Sequence, residues 1–282
     1  MSEIAIVTDS TAYIPKELVE KYDIRVAPQV LIWGEQTLLD GVDIQPEEFY
    51  NRLQKDPVHP STSQASPAKF KEIFEELLNE ERKILAILVS EKLSGTIDSA
   101  NQAIEFFPGA PIEIVDSETT AMAMGFIVLL AARAAYEGAT LEECKALAVQ
   151  AVPHTGVVFA VDTLEFLHRG GRIGSGSRFL GTALNIKPIL ELRDGKVEAV
   201  ERIRTRKKSL NRVVELIEAR VGNRRPVRLA ALHANAKEDA RFLLEEASAR
   251  LEPVETVFSE VSPVVGTHAG PGTVGLCFIA GM

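Results

Sequence analysis

The sequence predicts an α/β protein in two domains. An N-terminal parallel-sheet α/β domain occupies residues 1–155 and a C-terminal α+β domain residues 156–282, with a ligand cleft between them. Three observations carry this reading. A chain of 282 residues is long for one core and comfortable for two. In the first half, short β-branched runs alternate with helical periodicity, the pattern of a parallel sheet covered on both faces. From about Pro153 the rhythm changes to a hairpin followed by helices interleaved with strands.

Taken in order, Ile4-Ala5-Ile6-Val7 opens the chain as a strand, and a helix follows around residues 16–22. An excursion around residues 27–43 reads as a hairpin. Val30-Leu31-Ile32-Trp33 and Gln36-Thr37-Leu38-Leu39 flank Gly34-Glu35, a glycine-first turn. Ser66-Pro67 starts a helix over 68–79, with serine as N-cap and proline at the first helical position. Strands over 84–89 and 112–115 then alternate with helices over 97–106 and 121–136.

In the second half, residues 190–193 and 196–200 flank Asp194-Gly195, which suits a type I′ turn. Helices over 209–221 and 236–251 interleave with strands over 227–233 and 254–258. The chain closes on an apolar run, Leu276 to Ala280, expected at a buried sheet edge. No Pro- or Ser-rich linker separates the halves, so they share a large interface.

Composition narrows the function. Hydrophobic residues at 46% with charged residues at 25% are ordinary for a soluble globular protein. A net charge of −9 argues against tracking nucleic-acid phosphates. Cys144 and Cys277 stand far apart in apolar stretches and read as buried thiols of a reducing compartment. No basic and apolar leader precedes the first strand, which points to the cytoplasm. The most apolar stretch, residues 121–132, is interrupted by Arg133 and falls short of the roughly 20 residues of a membrane span, so no stable membrane insertion is expected. His59, His154, His168, His233 and His268 show no metal-ligand spacing, and nucleotide-loop and esterase signatures are missing. Neither a metal nor a cofactor is expected.

Candidate chemistry concentrates in a few segments. Gly266 to Gly275 holds His268, two threonines and four glycines in ten residues. It matches G-x-G-x-x-G at Gly270, Gly272 and Gly275. Only seven residues follow, too few for the acidic residue that a dinucleotide site needs about 20 positions on. Hydroxyl-rich turns follow the strands at Thr8-Asp9-Ser10-Thr11, at Ser90 to Ser99 with Ser94-Gly95-Thr96, and at Asp116-Ser117. Ligands bind at the carboxyl ends of parallel strands, so these turns should converge on one rim. A fourth hydroxyl-rich segment, residues 61–67, leads into a helix whose N–H groups suit an anion. Ser, Thr and Asp after strands also serve simply as caps and turn formers.

Leu164 to Gly174 places Arg169 and Arg172 on either side of Gly170-Gly171, fit either for an acidic group or partner or for solvent, with His168 as an exposed neighbour. Arg202, Arg204, Arg206, Lys207 and Lys208 form a basic run before a helix, either a solvated face or a docking patch. Ser94 or Thr62 with His268 as base also fits an acyl or phosphoryl transferase or hydrolase.

Together these segments resemble the DegV family, whose members serve as FakB-type fatty-acid-binding subunits of bacterial fatty acid kinase. The matching residues are Thr8-Asp9-Ser10, Thr62-Ser63-Gln64 with Ser66-Pro67, Ser94-Gly95-Thr96 with Ser99-Ala100, Asp116-Ser117, Leu164 through Ile173, Asn185-Ile186-Lys187-Pro188 and Gly266 through Gly275. Gln45 and Ala65 depart from it, where serine and proline are common. The resemblance implies a carrier rather than a catalyst, with one long-chain fatty acid enclosed in a tunnel between two domains. It implies that Thr62 and Ser94 meet the carboxylate, with His268, Gly95 and Thr96 beside them. A separate ATP-dependent kinase would then make the acyl phosphate, with Arg169, Arg172, Arg202 and Arg206 as candidate docking residues. Such a carboxylate needs donors, for which the two hydroxyls, backbone N–H groups at the glycines and a protonated imidazole are the candidates.

Overall fold

A computed structural model describes residues 2–179 and 186–282; Asn185 of the sequence motif lies outside the described residues. Along the first half run β1 (Ile4–Asp9), α1 (Lys16–Lys21), β2 (Arg25–Ala27), β3 (Val30–Trp33), β4 (Gln36–Leu39), α2 (Pro46–Leu53), β5 (Ser61–Ser63), α3 (Pro67–Asn79), β6 (Lys83–Leu88), α4 (Thr96–Ile104), β7 (Ile112–Asp116), α5 (Ala121–Tyr136) and α6 (Leu141–Ala151). The second half contains β8 (Thr155–Ala160), α7 (Glu165–Arg169), β9 (Lys187–Arg193), β10 (Lys196–Ile203), α8 (Arg206–Val221), β11 (Val227–His233), α9 (Lys237–Leu251), β12 (Glu255–Glu260), α10 (Pro263–Ala269) and β13 (Val274–Ala280).

The fold is mixed α/β. Four strands form a parallel sheet in the order β2-β1-β6-β7. Six form a mixed sheet in the order β10-β9-β8-β13-β11-β12, antiparallel except between β11 and β12. The 27–43 excursion forms a small sheet, in which β3 pairs antiparallel with both β4 and β5. At Asp194-Gly195 both residues adopt positive φ, 49° and 75°, the conformation a type I′ turn requires.

α5 explains how the two large sheets are joined. Its sequence is apolar around nearly the whole circumference, and such a helix has to be buried. It packs on β1 and β6 of the parallel sheet and on β8, β11 and β13 of the mixed sheet. Phe126, Ile127 and Leu129 are buried in the resulting core. Each such side chain contributes about 1.5–3 kcal/mol by leaving water.

The structure corrects several expectations. The Leu276–Ala280 run belongs not to a sheet edge but to the centre, between β8 and β11. All seven residues of β13 are buried, because α5 covers one face and α8 and α9 the other. α8 begins at Arg206 rather than Ser209, so part of the basic run lies inside the helix instead of preceding it. The Gly266–Gly275 segment, to which the sequence assigned no element before residue 276, begins within α10, where Ser262 accepts from Val265 N and Pro263 takes the first position. Gly270 and Gly272, at φ 79° and 80°, then turn the chain into β13.

Candidate ligand-binding site

Three hydroxyl-rich turns converge as the parallel order requires. β1, β6 and β7 end at the same rim, and the turns bond to one another. Asp9 accepts from Val89 N at 2.8 Å, Ser117 N donates to Leu88 O at 3.1 Å, and Ser90 N donates to Thr119 O at 3.0 Å. Against this rim the second half lays α10 and the β9–β10 hairpin. The hairpin turn is pinned there by Ser90 Oγ donating to Gly195 O at 2.9 Å and Lys92 Nζ to Asp194 O at 2.8 Å.

Between these parts lies a cavity enclosing about 960 Å³ free of protein atoms, its mouth included. Val157, Phe159, Leu167, Leu192, Val197 and Leu232 give much of the lining an apolar character. At the polar side stand Thr62, Ser94 and His268. β5 carries Thr62 and α10 carries His268, so the 2.8 Å contact between Thr62 Oγ1 and His268 Nε2 joins residues 206 positions apart. Ser94 Oγ pairs with Thr96 Oγ1 at 2.8 Å. Three of the predicted binding residues therefore face one cavity. Gly95 and Thr96 do not line it but support it from behind. Thr96 is fully buried, and a side chain at Gly95 would collide with that of Gln64.

The surroundings of His268 within this chain disfavour the expected imidazolium. Burial, reinforced by the Arg172 charge, pushes its pKa down to about 4, so the ring is neutral near neutral pH. Its Nδ1 has no hydrogen-bond partner among the described residues. Gly170 packs against that edge so tightly that any side chain there would overlap the ring. A buried orphan N–H is rarer than an orphan acceptor, so the proton is assigned to Nε2. Nε2–H then donates to Thr62 Oγ1, and the Thr62 hydroxyl hydrogen stays free for an acceptor in the cavity.

The glycine N–H groups of the terminal segment are not available as donors. Gly266 N, Gly270 N and Gly272 N are bonded to the Ser262, Gly266 and Ala234 carbonyls. They went to helix and turn formation because Ser262 and Pro263 start a helix there.

The arginines separate. Arg172 lines the cavity and donates to Leu93 O at 3.1 Å and Gly170 O at 2.6 Å. Arg169 is exposed, pairs with Glu165 and lines an adjoining pocket that shares Thr62, Arg172 and His268 with the main cavity. Arg202 lies exposed on β10 over the Phe179 ring, and Arg206 pairs with Asp239 at 2.7 Å. His168 is exposed, as its sequence context suggests.

Sequence reasoning missed Gln29, which lines the cavity from the connection between β2 and β3 and belongs to no motif. It also missed Thr120, whose buried hydroxyl has no partner at the cavity wall. A hydroxyl immediately before a long apolar helix was the one available signal for Thr120. Among the described residues, no group of three or more His, Cys, Asp and Glu is placed to hold a metal, and no helix is long and apolar enough to cross a membrane. Both cysteines are free and buried.

Known proteins share this fold. The curated Bacillus subtilis protein DegV is 36% identical over 276 residues, covering 98% of each chain. A Thermus thermophilus DegV family structure, described by its fatty acid binding, matches with a TM-score of 0.93 at 35% identity, over 99% of this chain and 100% of that one. A stearic-acid-binding protein from Eubacterium ventriosum matches with a TM-score of 0.91 at 25% identity, over 100% of this chain and 99% of that one. The DegV family model itself matches residues 3–281, so this chain belongs to the DegV family.

Proposed function

We propose that the protein binds one long-chain fatty acid between its halves, 1–155 and 156–282, in a tunnel formed by this cavity. The carboxylate would sit at Thr62, Ser94 and His268. The observation that carries this reading is one cavity whose largely apolar lining also bears two hydroxyls, Thr62 held by the His268 imidazole and Ser94 held by Thr96. The fatty acids named for structural relatives support the ligand class. About 14 methylenes at roughly 0.8 kcal/mol each give a gross gain near 11 kcal/mol, reduced by the cost of association.

On this reading the chain is a cytoplasmic carrier, and a separate ATP-dependent kinase phosphorylates the presented carboxylate. Arg169, Arg172, Arg202 and Arg206 are the candidate docking residues; Arg172 is bonded to this chain's own carbonyls and Arg169 and Arg206 to its carboxylates, whereas Arg202 lies exposed over the Phe179 ring. The nucleophilic alternative is less well supported. Thr62 Oγ1 does meet His268 Nε2 at 2.8 Å, but Ser94 pairs with Thr96 instead, and among the described residues no acidic group orients the imidazole through Nδ1, as a base for either hydroxyl would need. Mass spectrometry of organic extracts of the purified protein tests the binding. One fatty acid per chain is expected. Its absence, both as purified and after incubation with palmitate, rules the reading out.

A further inference from the structure

Gln29 is 2% exposed and sits where three segments of the rim meet. Its Oε1 accepts from Ala65 N at 2.9 Å, holding the segment that follows Thr62. Its Nε2 donates to Thr96 Oγ1 at 2.9 Å, and its backbone N donates to Ser10 Oγ at 3.0 Å. Amide orientation follows from the partners. Ala65 N–H can only donate, so it must face the oxygen, which turns the NH₂ toward Thr96.

The bond directions then follow from satisfying Thr96: its oxygen has a second lone pair that could accept from Ser94, but its own fully buried hydrogen would then lack an acceptor among the described residues. Thr96 Oγ1 accepts from Gln29 and has one hydrogen of its own, which can go to Ser94 Oγ, 2.8 Å away. Ser94 Oγ in that role is an acceptor, and its hydrogen is left for the cavity. The Thr62 hydroxyl is left in the same state by His268. Two relays, one beginning in each half of the chain, thus end in a hydroxyl donor lining the same cavity.

We propose that Gln29 is a positioning residue for the carboxylate site: through Thr96 it holds the Ser94 hydroxyl as a donor, and through Ala65 it holds the Thr62 loop opposite. This rests on the fatty acid reading given above and adds what makes the site prefer an acid head group over a neutral one. A primary alcohol of equal chain length does not require two outside donors, because its own hydroxyl can donate as well as accept.

The test compares palmitate with hexadecanol by competition against a fluorescent fatty acid. Wild type should prefer the acid. In Gln29→Met the ratio of acid to alcohol affinity should fall about tenfold, the scale of one charge-assisted hydrogen bond. Thr96→Val should lower the ratio several-fold, and Thr96→Ser, which keeps the relay, should leave it near wild type. A merely structural role would weaken both ligands together, so an unchanged ratio in Gln29→Met overturns the inference, as does equal behaviour of Thr96→Val and Thr96→Ser. If Gln29→Met does not fold, the Thr96 pair decides alone. Failure of wild type to bind either ligand defeats the underlying reading instead.

Discussion

Two polar regions lie at the rim of the parallel sheet, and they are built in opposite senses. Around Asp9 and Asp40 the protein buries carboxyl groups and surrounds them with donors. Asp9 accepts from Thr11 N at 3.0 Å, Thr11 Oγ1 at 2.6 Å and Val89 N at 2.8 Å. Asp40 accepts from Ser10 Oγ at 2.6 Å and Val264 N at 3.4 Å. At Thr62, Ser94 and His268 the donors are present but the carboxylate is not. The comparison shows hydroxyl donors paired with a buried protein carboxyl in one region and with no protein carboxyl, among the described residues, in the other. The first pairing is the pattern that the proposed carboxylate ligand would repeat in the second.

The sharpest way to break the comparison is to remove the donors. Thr62→Val with Ser94→Ala, which keep the shape, should weaken palmitate binding more than 100-fold, since hydrogen bonds to a charged group are worth about 1.5–3 kcal/mol each. Titration calorimetry checks this. Retained affinity would mean that the carboxylate lies elsewhere.

The next effect sits on the other side of the comparison. Burial raises the Asp40 pKa from 3.8 to about 7, with Ser10 opposing the rise. The fold therefore favours the protonated acid, and this contribution is lost as pH rises from 3.8 through 7. Asp40→Asn should stabilise the protein at pH 8 by on the order of 1–3 kcal/mol and lose that advantage by pH 4. His268 slopes the other way. Its pKa falls from 6.5 to about 4, so stability is lost as pH drops through that window. Chemical denaturation across pH measures both. A destabilised Asp40→Asn at pH 8 would show that its donors outweigh its burial.

The smallest effect tests the packing behind the donors. Gly170 has an ordinary helical φ of −80°, so alanine fits the backbone but displaces the His268 ring. Gly170→Ala should lower palmitate affinity several-fold and cost about 1–3 kcal/mol of stability by overpacking the ring, less than the loss of both donors costs in binding. Unchanged affinity would separate the imidazole from ligand binding.

Much of this was legible in the sequence where local chemistry decides. Asp194-Gly195 specifies its turn, and Ser66-Pro67 specifies its helix start, because caps and positive φ are properties of a few adjacent residues. Thr62, Ser94 and His268 could be nominated, and the structure does bring them to one cavity. Their states could not be read. Whether His268 is charged depends on burial by elements far away in sequence, and the glycines beside it turned out to terminate a helix. α10 itself was hidden because Val264-Val265-Gly266-Thr267 is a weak helix former, stabilised by its cap and its packing. Gln29 gave no signal, since its role exists only where three distant segments meet.

α5 carries a thermodynamic consequence. Its first residue, Ala121, and the preceding Thr120 line the cavity, while its body fills the core shared by both sheets. Neither sheet can shed this helix without exposing the other. The halves therefore melt as one cooperative transition, and a ligand held at one end of the helix raises the midpoint of the entire chain by mass action.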